Sequence, residues 1–178
     1  MTQKQTTPWG EVGYPTFKRT YSREMKNGKS EEWTDTVDRV VEACNKQLHC
    51  NFTEAEQQDV RDIMISLKGT VAGRFLWQLG TKTVDKLGLP SLQNCAFTVI
   101  DQPIRPFTWA FEMLMLGSGV GFNIQREHVY QLPKIKRKVK ITRMDENDAD
   151  FIVPDSREGW VDLLHRVLKA SFKTGESF

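Results

Sequence analysis

The chain has 178 residues, of which 39% are apolar and 27% charged, with a formal net charge of +2. Such a length and composition suit a globular domain with a sizeable core, or a piece of a larger one, and exclude a disordered chain. A charge so near balance gives no reason to expect a nucleic-acid binder, and the longest apolar stretch, residues 109–116, is interrupted by Glu112 and far too short to cross a bilayer.

Residues 1–10 are polar and carry no hydrophobic signal core, so a cytoplasmic protein is expected, with a viral gene among the origins left open. Residues 1–29 hold the turn formers Pro8, Gly10, Gly13, Pro15 and Gly28, and are read as an irregular arm. A helical region over 30–89 follows. Ser30 is placed at the start of its first helix, with Glu31 and Glu32 in the turn where the helix dipole favours acids. Trp33, Val37, Val40, Val41, Cys44 and Leu48 recur at helical spacing and mark the buried stripe. Thr53 and Glu56 make a capping box for a second helix, which buries Val60, Ile63, Met64 and Leu67 and ends at Gly69. The segment GRFLWQLGTKT, residues 73–83, mixes aromatics with glycines and fixes no single state.

A third region is set at 90–178. Its first apolar run, NCAFTVI (94–100), has strand length and near-continuous apolarity, as in a strand covered on both faces. Residues 107–116 read as a helix, apolar nearly all round and therefore buried. The glycine turn GSGVGFNI, residues 117–124, feeds a second strand. Strand, helix, turn and strand together make a βαβ unit. Beyond it, PKIKRKVKITR alternates Ile135, Val139 and Ile141 with basic residues and reads as an exposed strand, followed by the acids Asp145, Glu146, Asp148 and Asp150. Asp155 and Glu158 are read as the cap of a last helix, whose stripe runs through Trp160, Leu163, Leu164, Val167, Leu168 and Phe172. That stripe extends almost to Phe178, as in a stretch cut from a longer fold.

Three cysteines, Cys44, Cys50 and Cys95, do not make a disulfide framework, and the C-x5-C spacing fits no common zinc pattern even with His49 beside it, so no metal site is expected. On spacing alone Cys95 is either a small core residue, the commoner fate of a thiol, or a reactive group at the start of a βαβ strand, where sheets of this kind bind ligands. The GSGVGF turn lacks the lysine and spacing of a phosphate loop and precedes a strand, not a helix. It is either a tight turn or a place where backbone approaches a ligand. The KIKRKVK run, without interleaved aromatics, suits a solvated face better than a phosphate binder. His49, His128 and His165 share no ligand spacing, and Trp9 and Trp33 are packing residues.

Four strings in order, PWGEVGYPTFKRTYSR, SLQNCAF, WAFEMLMLGSGVGFNI and DADFIVPDSREGW, resemble the N-terminal part of an adenosylcobalamin-dependent (class II) ribonucleotide reductase of the ribonucleoside-triphosphate type. The resemblance implies an α/β fold: an N-terminal helical region plus the first strands and helices of a ten-stranded barrel, left incomplete. It implies an oxidoreductase that converts ribonucleotides to 2′-deoxyribonucleotides by thiyl-radical chemistry. A radical abstracts the 3′ hydrogen, the 2′ hydroxyl leaves as water, and a cysteine pair supplies the reducing equivalents and closes to a disulfide. One cysteine of that pair carries over to Cys95, in its Asn-Cys context on the first barrel strand. The substrate contact of the glycine motif carries over to Gly119, with Val120 and Gly121 beside it, and Asn94 offers backbone near the ribose. Asp101 and Arg126 fall where related enzymes contact an allosteric deoxynucleotide.

The chain lacks the partner of Cys95, the radical-forming cysteine, the family's glutamate base, the C-terminal cysteine pair that a thioredoxin-type reductant serves, and most of the adenosylcobalamin surface. It is therefore read as the N-terminal piece of a split, intein-interrupted or truncated reductase that needs the C-terminal remainder for turnover. Neither a membrane nor direct nucleic-acid binding is expected. The alternative is a non-catalytic nucleotide-binding or regulatory module that keeps the glycine turn and has lost the chemistry.

Overall fold

Thr53 and Glu56 close the reciprocal cap that their spacing predicts. The Thr53 hydroxyl accepts from the Glu56 amide at 3.3 Å, and the Glu56 carboxylate accepts from the Thr53 amide at 2.8 Å. The computed structural model in which this is seen describes residues 9–178, and the chain divides into two units, Met1–Gln93 and Asn94–Phe178.

The first unit is helical. Its elements are α1 (Gly13–Thr20), α2 (Trp33–Lys46), α3 (Glu54–Ile65), α4 (Gly73–Gln78), α5 (Lys82–Leu87) and a 3-10 turn (Leu89–Leu92). The predicted stripe of α2 is its buried face: Trp33, Val37, Val40, Val41 and Cys44 join Phe17, Met64, Leu76 and Leu79 in one core. Burying apolar surface of this extent is what holds two amphipathic helices together. The indole N–H of Trp33 donates to the Met64 carbonyl at 3.0 Å, so the largest core side chain also ties α2 to the end of α3.

Three expectations for this unit are corrected. Within 1–29, residues 13–20 form helix α1 where an irregular arm is predicted; the part of the arm before residue 9 lies outside the described residues. The cause is burial, because Phe17 is 2% exposed and stands 5.5 Å from the Trp9 ring and 5.4 Å from the Trp33 ring. The α2 helix starts at Trp33, capped by Glu32 with Asp35 in reciprocal contact, while Ser30 pairs with Glu24 in an isolated bridge. And α3 ends at Ile65, before Gly69, because Leu67 already takes a positive φ of 56°. The ambiguous segment after residue 73 forms α4 and the start of α5.

Glu31 turns inward instead of decorating the first turn of α2. Its carboxylate takes the Arg39 guanidinium (2.7 Å to Nε, 2.9 Å to Nη2), the Thr36 hydroxyl (2.8 Å) and the Arg23 amide (3.2 Å). Arg39 also donates to the carbonyls of Leu76 and Leu79. The next residue, Gly80, has a φ of +79°, and a Cβ there would lie 2.6 Å from Cγ of Arg39. Glycine is required at that point by both conformation and space.

The second unit contains β1 (Cys95–Val99), α6 (Arg105–Met115), β2 (Gly119–Asn123), α7 (Arg126–Val129) and α8 (Arg157–Lys169), which runs on into a π-helical turn (Ala170–Thr174) closed by Gly175 in the left-handed region. The strands are parallel, and α6 packs on both of them and on α8. This is the βαβ unit read from the sequence. Among the described residues two strands make up the sheet, so each of them is an edge strand.

Here too the structure departs from expectation. On β1, α6 covers the face of Ala96 and Thr98, which are half-buried, while Cys95 and Phe97 on the other face are exposed. The α6 helix itself is only half covered: Pro106 and Met113 are buried, and Leu114 is 54% exposed. PKIKRKVKITR forms no strand. Lys138 takes a positive φ of 72°, and the segment pairs instead with the end of the chain, through Lys136 N–H to Ser171 O, Phe178 N–H to Lys140 O and Thr142 N–H to Phe178 O. The cap of α8 is Ser156, whose hydroxyl accepts from the Gly159 amide at 3.0 Å, one residue later than predicted; Glu158 pairs with Arg157 at 2.6 Å.

Candidate active site

Strand geometry decides what surrounds Cys95. Side chains alternate faces along a strand, so Cys95 and Phe97 share one face and Ala96 and Thr98 the other. The parallel register sets Cys95 beside Gly119 and Phe97 beside Gly121. The thiol is free and exposed, in contrast to Cys44, which sits in the helical core at 8% exposure. Next to it Gly119 has no side chain, and a Cβ built there would find only the Asn94 carbonyl oxygen, 3.8 Å away. The position paired with Cys95 thus has room for more than a hydrogen.

The other glycines of the turn differ in role. Gly117 is the one with a positive φ, 84°, and makes the reversal from α6 into β2. Gly121 lies under the Phe97 ring, which a Cβ at that position would meet at 3.0 Å. Its missing side chain is accounted for by an aromatic neighbour. Asn94 uses its backbone carbonyl to accept from the Gly119 amide at 2.8 Å, extending the ladder by one bond past Cys95. Val120 points to the face opposite Cys95, half-buried on the α6 side, so only its backbone borders the open face.

Phe97 was not singled out in the sequence. It is 64% exposed on the same face as Cys95, two residues along. The period of two from Cys95 was the available signal, and it was masked by the reading of this run as a strand covered on both sides.

At the carboxyl end of β1 a polar cavity of about 340 Å³ opens between the strand and the start of α6, lined by Asp101, Gln102, Arg105 and Trp109 among others. Strand ends and helix starts of parallel sheets are where ligands settle. Asp101 belongs to this cavity. Arg126, exposed at the start of α7, does not line it, so the two residues paired by the effector expectation are not brought together in one cavity.

Comparison with known proteins finds likenesses over most of the chain. A profile described as the ribonucleotide reductase alpha domain matches residues 1–81. The adenosylcobalamin-dependent ribonucleoside-triphosphate reductase of Lactobacillus gasseri is 31% identical over 97% of the chain, and that of Euglena gracilis is 34% identical over 90%. A crystal structure of a B12-dependent (class II) ribonucleotide reductase superposes on 93% of the chain with a TM-score of 0.75 at 27% identity. The chain spans 31% of the Lactobacillus protein, 24% of the Euglena protein and 30% of the crystallised chain. Sequence and fold thus agree, over nearly the whole chain, in likening it to about a third of an adenosylcobalamin-dependent, class II ribonucleotide reductase.

Proposed function

We propose that this chain is the N-terminal portion of a reductase that converts ribonucleotides to 2′-deoxyribonucleotides, and that it contributes Cys95 as one thiol of the reducing pair. The observation that carries the reading is the exposed Cys95 thiol beside Gly119, a neighbour without a side chain. In the overall balance two thiols and one ribonucleotide give one deoxyribonucleotide, one water and one disulfide. Cys95 delivers a hydrogen to the sugar as the 2′ hydroxyl leaves, and then bonds to a sulfur supplied by the remainder of the enzyme. Gly119, through its bare flank, and the backbones of Asn94, Val120 and Gly121 border the pocket. Asp101, in its cavity, is the better supported of the two effector contacts.

The need for a remainder rests on two facts. The chain covers under a third of its relatives, and its two-stranded sheet leaves both strands as edges and the Cys95 face open. A ten-stranded barrel completed by the remainder would cover both. Adenosylcobalamin, named for the relatives, does not fit the roomiest cavity described in the second unit: it holds about 680 Å³ between Phe178, Trp160 and residues 141–153, is lined mainly by apolar side chains, and is smaller than a corrin with its axial arms. The cofactor is assigned to the remainder of the enzyme.

The test is complementation. The chain alone should not reduce ribonucleotides with adenosylcobalamin and a dithiol. The chain joined to the C-terminal two-thirds of a class II reductase should do so, and Cys95→Ser in that pairing should abolish multiple turnover. Activity that survives the serine substitution favours a nucleotide-binding module without chemistry.

A further inference from the structure

The two cysteines that this reading leaves aside meet at the carboxyl end of α2. Cys44 is on the buried face of the helix, Cys50 is exposed six residues on, and both are free thiols. The chain reverses between them. Gln47 and Leu48 both donate to the Ala43 carbonyl, at 2.8 and 3.3 Å, and the Cys50 amide reaches back to the Cys44 carbonyl at 3.1 Å. His49 and Asn51 on either side of Cys50 take positive φ values of 55° and 57°. L-residues rarely adopt that conformation, so the surroundings must hold it. Asn45 does so. Its side-chain amide donates to the Phe52 carbonyl at 2.8 Å, and its oxygen accepts from the Phe52 amide at 2.8 Å.

The reversal thus clamped holds Cys50 against the end of the helix, its backbone bonded to that of Cys44. A backbone N–H to carbonyl bond between the same two residues sets their Cα atoms about 5–6 Å apart, the separation that a disulfide spans. We propose that Cys44 and Cys50 form a peroxide-sensitive thiol pair, a reversible disulfide site in the helical unit.

Exposure divides the roles. Cys50, as its thiolate, attacks one oxygen of hydrogen peroxide; the S–O bond forms, the O–O bond breaks, and the departing hydroxide takes a proton to leave as water. The Cys50 sulfur, oxidised by two electrons, is then a sulfenic acid. The Cys44 sulfur displaces its oxygen: the S–S bond forms, the S–O bond breaks, and a second water leaves with the Cys44 proton. Two thiols and one peroxide become one disulfide and two waters. Burial, with the neighbouring Cys50 thiol, pushes the Cys44 thiol up, so the exposed Cys50 meets peroxide first, and Cys44 gives up its proton to the departing oxygen only as it attacks the sulfenic acid held beside it.

The experiment treats the full chain with hydrogen peroxide, blocks remaining thiols with an alkylating agent and maps the peptides by mass spectrometry. The expected product joins the peptides of Cys44 and Cys50 with loss of two hydrogens, reverts with dithiothreitol and forms in a yield independent of protein concentration. Cys44→Ser should raise dimedone capture at Cys50 by about tenfold, since the sulfenic acid then has no resolving partner. Cys50→Ser, a change at an exposed position, should leave Cys44 reduced and uncrosslinked at the same dose. Wild-type chain in which Cys50 over-oxidises while Cys44 is alkylated, or in which Cys50 links to Cys95 or to another molecule, overturns the proposal.

Discussion

Cys95 and Gly119 stand side by side across the parallel pair, a thiol next to the one position in the strand where no side chain competes for its flank. Their order in the chain, strand, helix, glycine turn, strand, is what brings them together, since a parallel register returns the second strand to the level of the first.

That relationship is tested by a pair of alanines. Gly119→Ala meets nothing closer than 3.8 Å and should leave the melting temperature unchanged. In the complemented enzyme its methyl would occupy the substrate side of the sulfur, and kcat/KM should fall by about 10–100-fold, roughly 1.4–2.7 kcal/mol. Gly121→Ala presses on the Phe97 ring at 3.0 Å and should instead cost about 1 kcal/mol in stability. Equal kinetic effects from both substitutions would remove the distinction drawn between the two glycines.

The Glu31–Arg39 pair is buried on both sides, with side chains 7% and 14% exposed. Removing one partner leaves the other charge uncompensated. Arg39→Met should therefore destabilise the helical unit by about 3–5 kcal/mol, read by urea titration. Glu31→Gln, which keeps hydrogen-bonding capacity but not charge, should cost less than Arg39→Met.

The same pair predicts an acid limb. Burial alone would push the Glu31 carboxyl up. The Arg39 and Thr36 hydrogen bonds, the Arg39 charge and the Arg23 amide outweigh it and hold the group below the ordinary carboxylate range. A carboxyl depressed in the folded state contributes stability that is full above its unfolded pKa and is lost as pH falls through the lowered folded value. Wild-type stability should therefore drop on acidification below the usual carboxylate range, and Glu31→Gln should flatten that limb. An unchanged slope in the variant would assign the acid sensitivity to other groups.

Trp33 combines core packing with its bond to the Met64 carbonyl. Trp33→Ala should cost about 3–5 kcal/mol. Trp33→Phe keeps most of the packing against Phe17 and Trp9 and removes one of two hydrogen bonds to the Met64 carbonyl, which still accepts from the Leu67 amide at 3.0 Å, so it should cost only about 0.5–1.5 kcal/mol. Chemical denaturation of the two variants separates the packing from the hydrogen bond.

The helical stripe from Trp33 to Cys44, the Thr53–Glu56 cap and the βαβ unit around Cys95 were legible because each is encoded locally, in periodicity or in a fixed offset. Helix α1 was not, because its single buried side chain, Phe17, gains its partners from Trp9 and Trp33 and not from a stripe of its own. The strand predicted over 133–143 failed for a similar reason: alternation was present, but the backbone partners of Lys136, Lys140 and Thr142 come from residues 171–178, more than 30 positions away. At the site, spacing located Cys95 and the glycines and left the choice between packing and chemistry open. Register adds their placement, Gly119 beside the exposed thiol and Phe97 over Gly121, which is long-range information that spacing does not carry.

The two-stranded sheet has a practical consequence at the bench. An unclosed ribbon offers a row of unanswered amides and carbonyls along either border, a template to which strands of other molecules can add. Purified by itself, this polypeptide should clump as its concentration rises, and co-expression with the chain that completes the sheet should keep it in solution.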